Sequence, residues 1–479
     1  MELNYDWTAF IPEFVLLGLA ALIVAIDLFI PAVRKAWLGY LAAAGLAATA
    51  GLSCAWIDKD IDFAGIISID NYTTYFRVLF MGVAAVIALA SARYVADSLR
   101  HPGEYYGLII LSTIGAVGMA AAQELMTAYL SLELLSFSLY VLVSFAKFEG
   151  RSNEAGIKYM VLGAFASAMF LYGMSLIYGV TGTTYYGGIA EALSGDNGDY
   201  QWALMMGLVL MITGLGFKVA AVPFHMWTPD AYEGAPVTIT AYLSTTSKAA
   251  GFALLLRMFS EAFGVISDDW AWIFAGMAAA TMIYGNLVAL QQRNIKRLMA
   301  YSSIGQVGYM LMALAGLNHD TASALVLHLT GYMITNLALF VVIIAWVHMN
   351  ASEEIKDFKG MRERAPVLAG VLAGALFSLA GLPLFAGFVT KFILFQSATD
   401  AGYYWLAALG VITSVISLYY YLQVMREVFV TKDDSDAPVL PVPLIMQGLA
   451  VALMLGVLYV GLYPIHVFEA ADNATALLF

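Results

Sequence analysis

Charged residues are scarce in this chain. Asp, Glu, Lys and Arg make up 12% of its 479 residues, and hydrophobic residues make up 62%, whereas a soluble domain has about 25% charged residues. This scarcity excludes an ordinary soluble fold and favours a polytopic membrane protein surrounded by lipid. The formal net charge of −12 would suggest repulsion from nucleic acid and from anionic lipid, but in a membrane protein the distribution of charge across the loops is more informative than the sum. We expect membrane lipid and no nucleic acid as a partner.

Cysteine is almost absent as well, because Cys54 is the one cysteine of the sequence. A single thiol excludes an intrachain disulfide and a cysteine-ligated iron–sulfur cluster. The sequence also has no glycine-rich phosphate loop and no dinucleotide-binding fingerprint. We therefore expect no cofactor and no metal in this chain. The opening MELNYDWTAFIPEF is acidic, so it lacks the basic start of a signal peptide and is expected to belong to the mature protein.

Long apolar runs are what the sequence does contain. A transmembrane helix needs about 20 mostly apolar residues, and the sequence predicts fourteen such segments. They lie near residues 10–31, 37–57, 71–96, 105–123, 125–145, 155–180, 202–229, 236–260, 270–290, 297–316, 321–349, 366–398, 402–428 and 439–467. Because the gaps between them are short, we expect a single integral membrane domain over residues 1–479, of the all-α polytopic class.

The distribution of basic residues predicts how these segments are oriented, because cytoplasmic loops are enriched in Lys and Arg. The odd-numbered connections hold Arg34, Lys35, Arg93, Arg100, Lys147, Arg151, Arg293, Lys296, Arg297, Lys356, Lys359, Arg362, Arg364, Arg426 and Lys432. The even-numbered side holds Lys59 together with Asp58, Asp60, Asp62, Glu191, Asp196, Asp199, Asp268 and Asp269. Both termini are therefore predicted outside, with the odd connections in the cytoplasm.

Two segments are interrupted by a proline among glycines, with a lysine near by. Segment seven contains GLGFKVAAVPFHMWTPD with Pro223, and segment twelve contains LAGLPLFAGFVTKF with Pro383. The breaks lie five segments apart, so the two segments cross in opposite directions, which is typical of inverted repeats with a functional site near the midplane. The predicted units are helices one to three (1–100), a first five-helix repeat of segments four to eight (105–260), a second of segments nine to thirteen (270–428), and helix fourteen (439–479).

Four ionisable residues fall deep within these segments: Glu133, Lys218, Lys248 and Lys391. A charged side chain at a helix centre costs about 2.5–3.5 kcal/mol on insertion scales, and such residues usually line an internal polar path or pair with one another. A structural ion pair can account for Glu133 with Lys218, but it is hard to extend to three lysines facing one glutamate. The set favours proton transfer, because a buried lysine beside a movable negative charge can alternate between charged and neutral forms.

Weaker signals leave alternatives open. His225, two residues after Pro223, is either a proton relay or a polar residue satisfied at the helix break. Arg77 and Arg257 lie near helix ends, where we expect their side chains to extend to the membrane surface.

A polar stripe is spaced along segment eleven. His328, Tyr332 and Asn336 share one helical face. This stripe is either a hydrated path or a hydrogen-bonded seam between helices.

The chain resembles the antiporter-like membrane subunits of respiratory complex I, a family shared with multisubunit cation/proton antiporters. The most specific part is GLGFKVAAVPFHMWTPDAYEGAPVTITAYLSTTSKAA, which carries Lys218 and Lys248. AYLSLELLSFSLYVL, with Glu133, and QQRNIKRLMAYSSIGQVGYML also match the family. Within this family, the chain resembles the N type of subunit from bacterial NADH:quinone oxidoreductase. The features that carry this resemblance are Asn336 on segment eleven, Lys248 on segment eight, Lys391 on segment twelve and the lack of a long lateral helix.

The resemblance implies a proton-translocating subunit of the bacterial inner membrane. Glu133 and Lys218 would form the coupled pair, Lys248 would connect to the cytoplasm and Lys391 to the outside. Partners would be other membrane subunits of the complex in a hetero-oligomer, and NADH, FMN, iron–sulfur clusters and quinone would reside in other subunits. The alternatives are a subunit of a multisubunit Na⁺/H⁺ antiporter, a passive structural spacer and a quinone enzyme.

Overall fold

The computed structural model describes residues 6–195, 200–431 and 440–479, and the fold there is almost wholly helical. Asp196, Asp199 and Lys432, which entered the orientation prediction, lie outside the described residues. The α-helices are α1 (Ile11–Asp27), α2 (Ala36–Ser53), α3 (Asn71–Ser98), α4 (Pro102–Ala121), α5 (Leu125–Val143), α6 (Gly150–Thr181), α7 (Tyr186–Leu193), α8 (Gln201–Val219), α9 (Trp227–Gly234), α10 (Val237–Tyr242), α11 (Lys248–Glu261), α12 (Ser267–Ala289), α13 (Ile295–Ala315), α14 (His319–Asn350), α15 (Met361–Arg364), α16 (Pro366–Ala380), α17 (Ala386–Asp400), α18 (Tyr404–Phe429), α19 (Leu444–Leu462) and α20 (Ile465–Thr475).

The membrane crossings follow the predicted segments. Over the described ranges, 12 helices are long and apolar enough to cross a membrane: α1 to α6, α8, α12, α13, α14, α18 and α19. Two further crossings are made by α10 with α11 and by α16 with α17, each interrupted near its middle. The prediction of an all-α polytopic protein with about fourteen transmembrane segments is confirmed, whereas the inverted repeat stays a prediction.

Segments seven and twelve are broken in the same way. The first half of segment seven, α8, ends where Ala220 has a φ of +66° and its backbone N–H bonds to carbonyls of the last turn. The first half of segment twelve, α16, ends at Gly381, with a φ of +85° and the same cap. A residue of positive φ at this position closes the last helical turn and redirects the chain. The second halves, α9 and α17, begin after five to seven non-helical residues.

Segment eight has an interruption that the apolar pattern did not predict. Between α10 and α11, residues Leu243–Ser247 form a π-helical turn that lies immediately before Lys248. A π turn adds a residue to the helical turn and therefore rotates the side chains that follow it. The π turn therefore determines which face of α11 carries the buried Lys248.

The connections assemble into two faces. Odd-numbered connections meet one another: Arg100 stacks on Phe148, and Arg297 bonds to Asp230 at 3.1 Å. Even-numbered connections meet on the opposite face through the strand pair β1 (Ile61–Phe63) and β2 (Ile67–Ile69) and through a bridge from Ile67 to Ala122.

Both chain ends lie on the even-numbered face. Near the N-terminus, Phe10 packs on Phe63 of β1 with ring centroids 4.9 Å apart. Near the C-terminus, His319 Nε2 lies 3.7 Å from a carboxylate oxygen of Asp472. The two ends of the chain are therefore on the same side of the bundle, as an even number of crossings requires.

Arg77 and Arg257 do not extend to the membrane surface, so that prediction is wrong. Both side chains are fully buried. Arg77 bonds to Glu13 at 2.8 Å, and Arg257 forms an ion pair with Asp70 and lies 4.8 Å from the Tyr72 ring. The acidic partners come from distant parts of the sequence, and burial of a guanidinium requires such partners.

Candidate functional site

Lys218 lies in the last turn of α8, just before the first break, and is 3% exposed. Its Nζ donates a hydrogen bond to Ser136 Oγ on α5 at 2.9 Å. Gly251 on α11 faces the Lys218 side chain, and a methyl group there would lie 3.4 Å from the Lys218 Cγ. The lysine is therefore enclosed by α5, α8 and α11, with a hydroxyl as its partner.

Glu133 lies on α5 one helical turn before Ser136, and Ser167 of α6 donates a hydrogen bond to its carboxylate. Ser167 also bonds to the Tyr129 hydroxyl at 3.3 Å. The carboxylate forms no ion pair with Lys218 within 4 Å. Glu133 and Ser136, the partner of Lys218, are one turn apart on α5, so the two predicted partners lie near the same part of α5 without forming a direct ion pair.

Lys248 is the first residue of α11 and is 1% exposed. Its Nζ donates to Ser303 Oγ on α13 at 2.7 Å. The ammonium lies 5.7 Å from the centroid of the Tyr232 ring on α9. Lys248 therefore faces the second predicted repeat, because α13 belongs to it.

Lys391 lies on α17, after the second break, and is 4% exposed. Its Nζ donates to the Leu379 carbonyl at 2.7 Å and to Ser414 Oγ at 3.2 Å. The Leu379 carbonyl belongs to the last turn of α16, where carbonyls have no partner within the helix. The break thus supplies the lysine with an acceptor, and the Tyr309 ring lies 4.9 Å away.

Other lysines of the chain are held differently. Lys35 bonds to Asp27 at 3.1 Å, and the buried Lys296 bonds to Glu353 at 2.5 Å. In the part of the chain that the structure describes, none of Lys218, Lys248 and Lys391 has a carboxylate within 4 Å. A structural ion pair therefore does not explain Lys218, Lys248 or Lys391.

A row of polar side chains on α13, α18 and α12 lies between Lys248 and Lys391, although the described residues include no hydrogen bond between Ser303 and Ser302. Beside Ser303, which bonds to Lys248, Ser302 bonds to the Tyr421 hydroxyl at 2.5 Å. The rings of Tyr421 and Tyr420 are 4.4 Å apart, and Tyr420 bonds to Asn286 at 3.0 Å. Asn286 bonds in turn to Tyr309 at 3.3 Å, whose ring lies beside Lys391. None of these side-chain partners was predicted from the sequence.

We call this row of polar side chains, with the polar residues around it, the belt. Several buried polar atoms of the belt make no hydrogen bond of ordinary geometry among the described residues: the hydroxyls of Tyr232, Thr246, Ser247 and Tyr332, His328 Nε2 and Gln306 Oε1. Tyr232 and Tyr332 nevertheless lie near Ser303. An unsatisfied buried polar group costs about 1–3 kcal/mol, and ordered water is its usual partner in native proteins. The belt between the two breaks is therefore suited to bind internal water.

His225 lies at the first break and is 6% exposed. Its ring packs edge-on against Tyr284 of α12 at 4.4 Å, and its Nδ1 has no partner within the described ranges. It makes no hydrogen bond to the lysines in that part of the chain. Both interpretations of His225, as a relay and as a polar residue at a break, therefore remain.

The stripe on segment eleven is not a single hydrogen-bonded row. His328 Nδ1 bonds to Thr390 on α17 at 2.9 Å. Asn336 Nδ2 bonds to the carbonyl of Tyr332 on its own helix at 2.9 Å. His328 therefore links α14 to α17, while Asn336 is satisfied within α14.

The fold and the site define a polytopic membrane protein with two broken helices and buried lysines at the breaks. A family model described as NADH:quinone oxidoreductase/Mrp antiporter, TM, matches residues 122–417, and the chain belongs to that family. Within it, the chain is similar to NADH-quinone oxidoreductase subunit N of Desulforamulus reducens, with 39% identity over 99% of this chain and 98% of the other.

Two solved structures are also similar. A chain of respiratory complex I from Thermus thermophilus is 30% identical, with a TM-score of 0.82 over 97% of this chain and 100% of that one. A chain of the Mrp complex from Dietzia sp. DQ12-45-1b has a TM-score of 0.87 over 99% of this chain and 98% of that one. At 23% identity, the second likeness shows the fold alone.

Proposed function

We propose that this chain is a proton-translocating membrane-arm subunit of NADH:quinone oxidoreductase, in which Glu133, Lys218, Lys248 and Lys391 carry protons. One observation supports this function most. The three buried lysines bond to hydroxyls and a carbonyl, whereas Lys35 and Lys296 bond to carboxylates. A buried ammonium without a fixed counter-ion is costly, so its protonation follows small changes in nearby charge.

In the first predicted repeat, Glu133 is the carboxylate that would act on Lys218. Glu133 lies one turn from Ser136, the partner of Lys218. Movement of this carboxylate toward Lys218 would favour the charged lysine, and its withdrawal would favour proton release. The released proton would pass toward Lys248 through hydroxyls and water, which can donate and accept at once. His225 remains a candidate relay at the break.

The second predicted repeat would carry the proton onward. The side chains between Lys248 and Lys391 include Ser302, Tyr421 and Asn286, and all of them are buried. Lys391 lies past the second break, in the half of segment twelve nearer the even-numbered face. If that face is external, Lys391 is the release group.

The remaining assignments belong to this proposal. The chain would lie in the bacterial inner membrane with both termini periplasmic, supported by the basic residues of the odd-numbered connections. Residues 105–260 and 270–428 would be inverted repeats, supported by the matching caps at Ala220 and Gly381. Other membrane subunits would form the hetero-oligomer, and NADH, FMN, iron–sulfur clusters and quinone would be bound by other subunits.

A second function is considered because the matching family model covers Mrp antiporters as well. As a subunit of a multisubunit Na⁺/H⁺ antiporter, the chain would bind sodium in exchange for protons. Sodium takes oxygen ligands and is repelled by a neighbouring ammonium. The three lysines along the belt favour protons as the transported ion.

The test uses the assembled complex in inverted membrane vesicles. NADH should drive acidification that does not depend on sodium, and Lys248→Met or Lys391→Met should abolish it while the complex remains assembled. Acidification that requires sodium would favour the antiporter. Unchanged acidification in both lysine variants would exclude the proposed lysine path.

A further inference from the structure

We propose that protons enter from the odd-numbered face through a ladder of buried hydroxyls between α4 and segment eight, ending in the π turn that directly precedes Lys248. This inference rests on the proposed function and adds an uptake route to it. The ladder consists of Tyr105, Ser112 and Thr113 on α4 and of Thr238, Tyr242 and Thr246 on segment eight. All six side chains are fully buried.

The ladder begins beside a cavity of about 210 Å³ on the odd-numbered face, which is lined in part by Arg93, Tyr94, Asp97 and His348. Asp97 Oδ2 lies 3.3 Å from His348 Nε2, and the rings of Tyr94 and His348 are 5.8 Å apart. Imidazole is the side chain that exchanges protons readily near neutral pH, and a neighbouring carboxylate orients it. The Tyr94 hydroxyl lies beside the backbone amide of Val237, the residue before Thr238, where the ladder begins.

Hydrogen bonds join α4 to segment eight at two levels, which we call the rungs of the ladder. The Tyr105 hydroxyl donates to Thr238 Oγ1 at 2.7 Å. One helical turn further along α10, the Tyr242 hydroxyl lies 2.9 Å from both Ser112 Oγ and Thr113 Oγ1. A helical turn rises about 5.4 Å, a gap that one water molecule can bridge with its own hydrogen bonds.

The ladder ends in the π turn. The hydroxyls of Thr246 and Ser247 are buried and make no hydrogen bond of ordinary geometry within the described part of the chain, although Thr246 lies near the Tyr242 hydroxyl and Ser247 near the Tyr159 hydroxyl. Lys248 follows directly in sequence, and Gly251, one turn after Ser247, packs on the Lys218 side chain. The last hydroxyls of the ladder therefore belong to the π turn that directly precedes Lys248, and α11, which follows this turn, packs on Lys218.

The route is closed beyond this point. Residues 249–256 of α11 are AAGFALLL, and all of them are apolar or glycine and buried. Protons that arrive by the hydroxyls can therefore pass to the lysines but have no polar side chain to follow along α11 toward the even-numbered face. The Thr246 and Ser247 hydroxyls at the inner end make no hydrogen bond of ordinary geometry, so they can bind water, whereas a seam that only held α4 to segment eight would be expected to satisfy them.

The test measures NADH-driven acidification by the assembled complex in inverted vesicles. Thr238→Val and Tyr242→Phe each remove one hydroxyl and keep the side-chain shape. Thr245→Val is the matched control, because Thr245 is equally buried in the π turn but its hydroxyl bonds to its own helix, to the Ala241 carbonyl at 2.8 Å. Thr238→Ser restores the hydroxyl at the first rung.

We expect Thr238→Val and Tyr242→Phe to slow acidification about tenfold or more, the range of a positioned proton relay, while Thr245→Val and Thr238→Ser stay near the wild-type rate. Wild-type rates in both hydroxyl-free variants would overturn the ladder, and so would a Thr238→Ser variant as slow as Thr238→Val. Lys248→Met, measured in parallel, separates the two proposals: if it also pumps normally, the lysine path fails, and not the ladder alone.

Discussion

Lys218→Arg is the most informative single change in this chain, because it keeps the positive charge and removes the ability to release a proton. Lys218 is 3% exposed and its Nζ lies 2.9 Å from Ser136 Oγ. Arginine can make the same hydrogen bond. A merely structural cation would therefore be replaced with little effect on function.

The expected loss can be worked out from side-chain chemistry. The ordinary pKa of an arginine side chain lies about 3 units above that of lysine, and each unit corresponds to about 1.4 kcal/mol. Releasing the proton from arginine therefore costs about 4 kcal/mol more, which slows a step that includes this release about a thousandfold. Pumping and the quinone reduction coupled to it should both fall to background.

The assay needs a control for crowding, because arginine is larger than lysine. Lys296→Arg provides it: Lys296 is also 3% exposed, but it bonds to Glu353 at 2.5 Å. We expect this variant to pump normally. NADH-driven quinone reduction and acidification are measured in inverted vesicles, and a native gel gives the amount of assembled complex.

The result that refutes the reasoning is equally definite. If the complex with Lys218→Arg assembles in normal amounts and acidifies the vesicles at the wild-type rate, then Lys218 never releases its proton. In that case the lysine is a fixed charge, and the proposed path has to avoid it.

Three further changes test other parts of the site and fold. Glu133→Gln keeps an acceptor for Ser167 but removes the charge, so the rate of coupled acidification should fall about tenfold or more. Ser167→Ala should lower this rate less. Equal losses of rate in the two variants would contradict a role for the charge. Asp70→Asn leaves the buried guanidinium of Arg257 without its ion-pair partner, which should destabilise the subunit by about 3–5 kcal/mol and reduce the amount of complex that survives heating. The double variant with Arg257→Met should recover part of this loss. An unchanged heating curve for Asp70→Asn would show that the ion pair is dispensable. Membrane-impermeant labels should reach a cysteine at Asp60 and a tag after Phe479 from the periplasm, and reach a cysteine at Lys356 only from the cytoplasm; the opposite pattern would reverse the orientation.

The membrane crossings could be predicted from the sequence because a helix in lipid must satisfy its own backbone hydrogen bonds. Each crossing therefore appears as a local apolar run. The breaks were visible for a similar reason, since Pro223 and Pro383 cannot continue a helix. The π turn at Leu243–Ser247 was not visible, because its residues differ little from those of an ordinary helix.

The partners of the charged residues could not be predicted, because they are far away in sequence. Arg257 pairs with Asp70, and Lys248 bonds to Ser303. A serine in a membrane helix is too common to identify as a lysine's partner without the fold. The lysines themselves could be identified from their position in apolar segments, because a charged side chain is unfavourable there. The sequence therefore predicts the ionisable residues of the site better than the polar groups around them.

Helix α19 packs against the second break from outside both predicted repeats. Gly461 near its end approaches the break so closely that a methyl group there would overlap the backbone of Leu384 and Phe385. Any larger residue at position 461 would therefore displace the backbone between α16 and α17. The position of the second break thus depends on a helix that contains none of the proposed proton carriers.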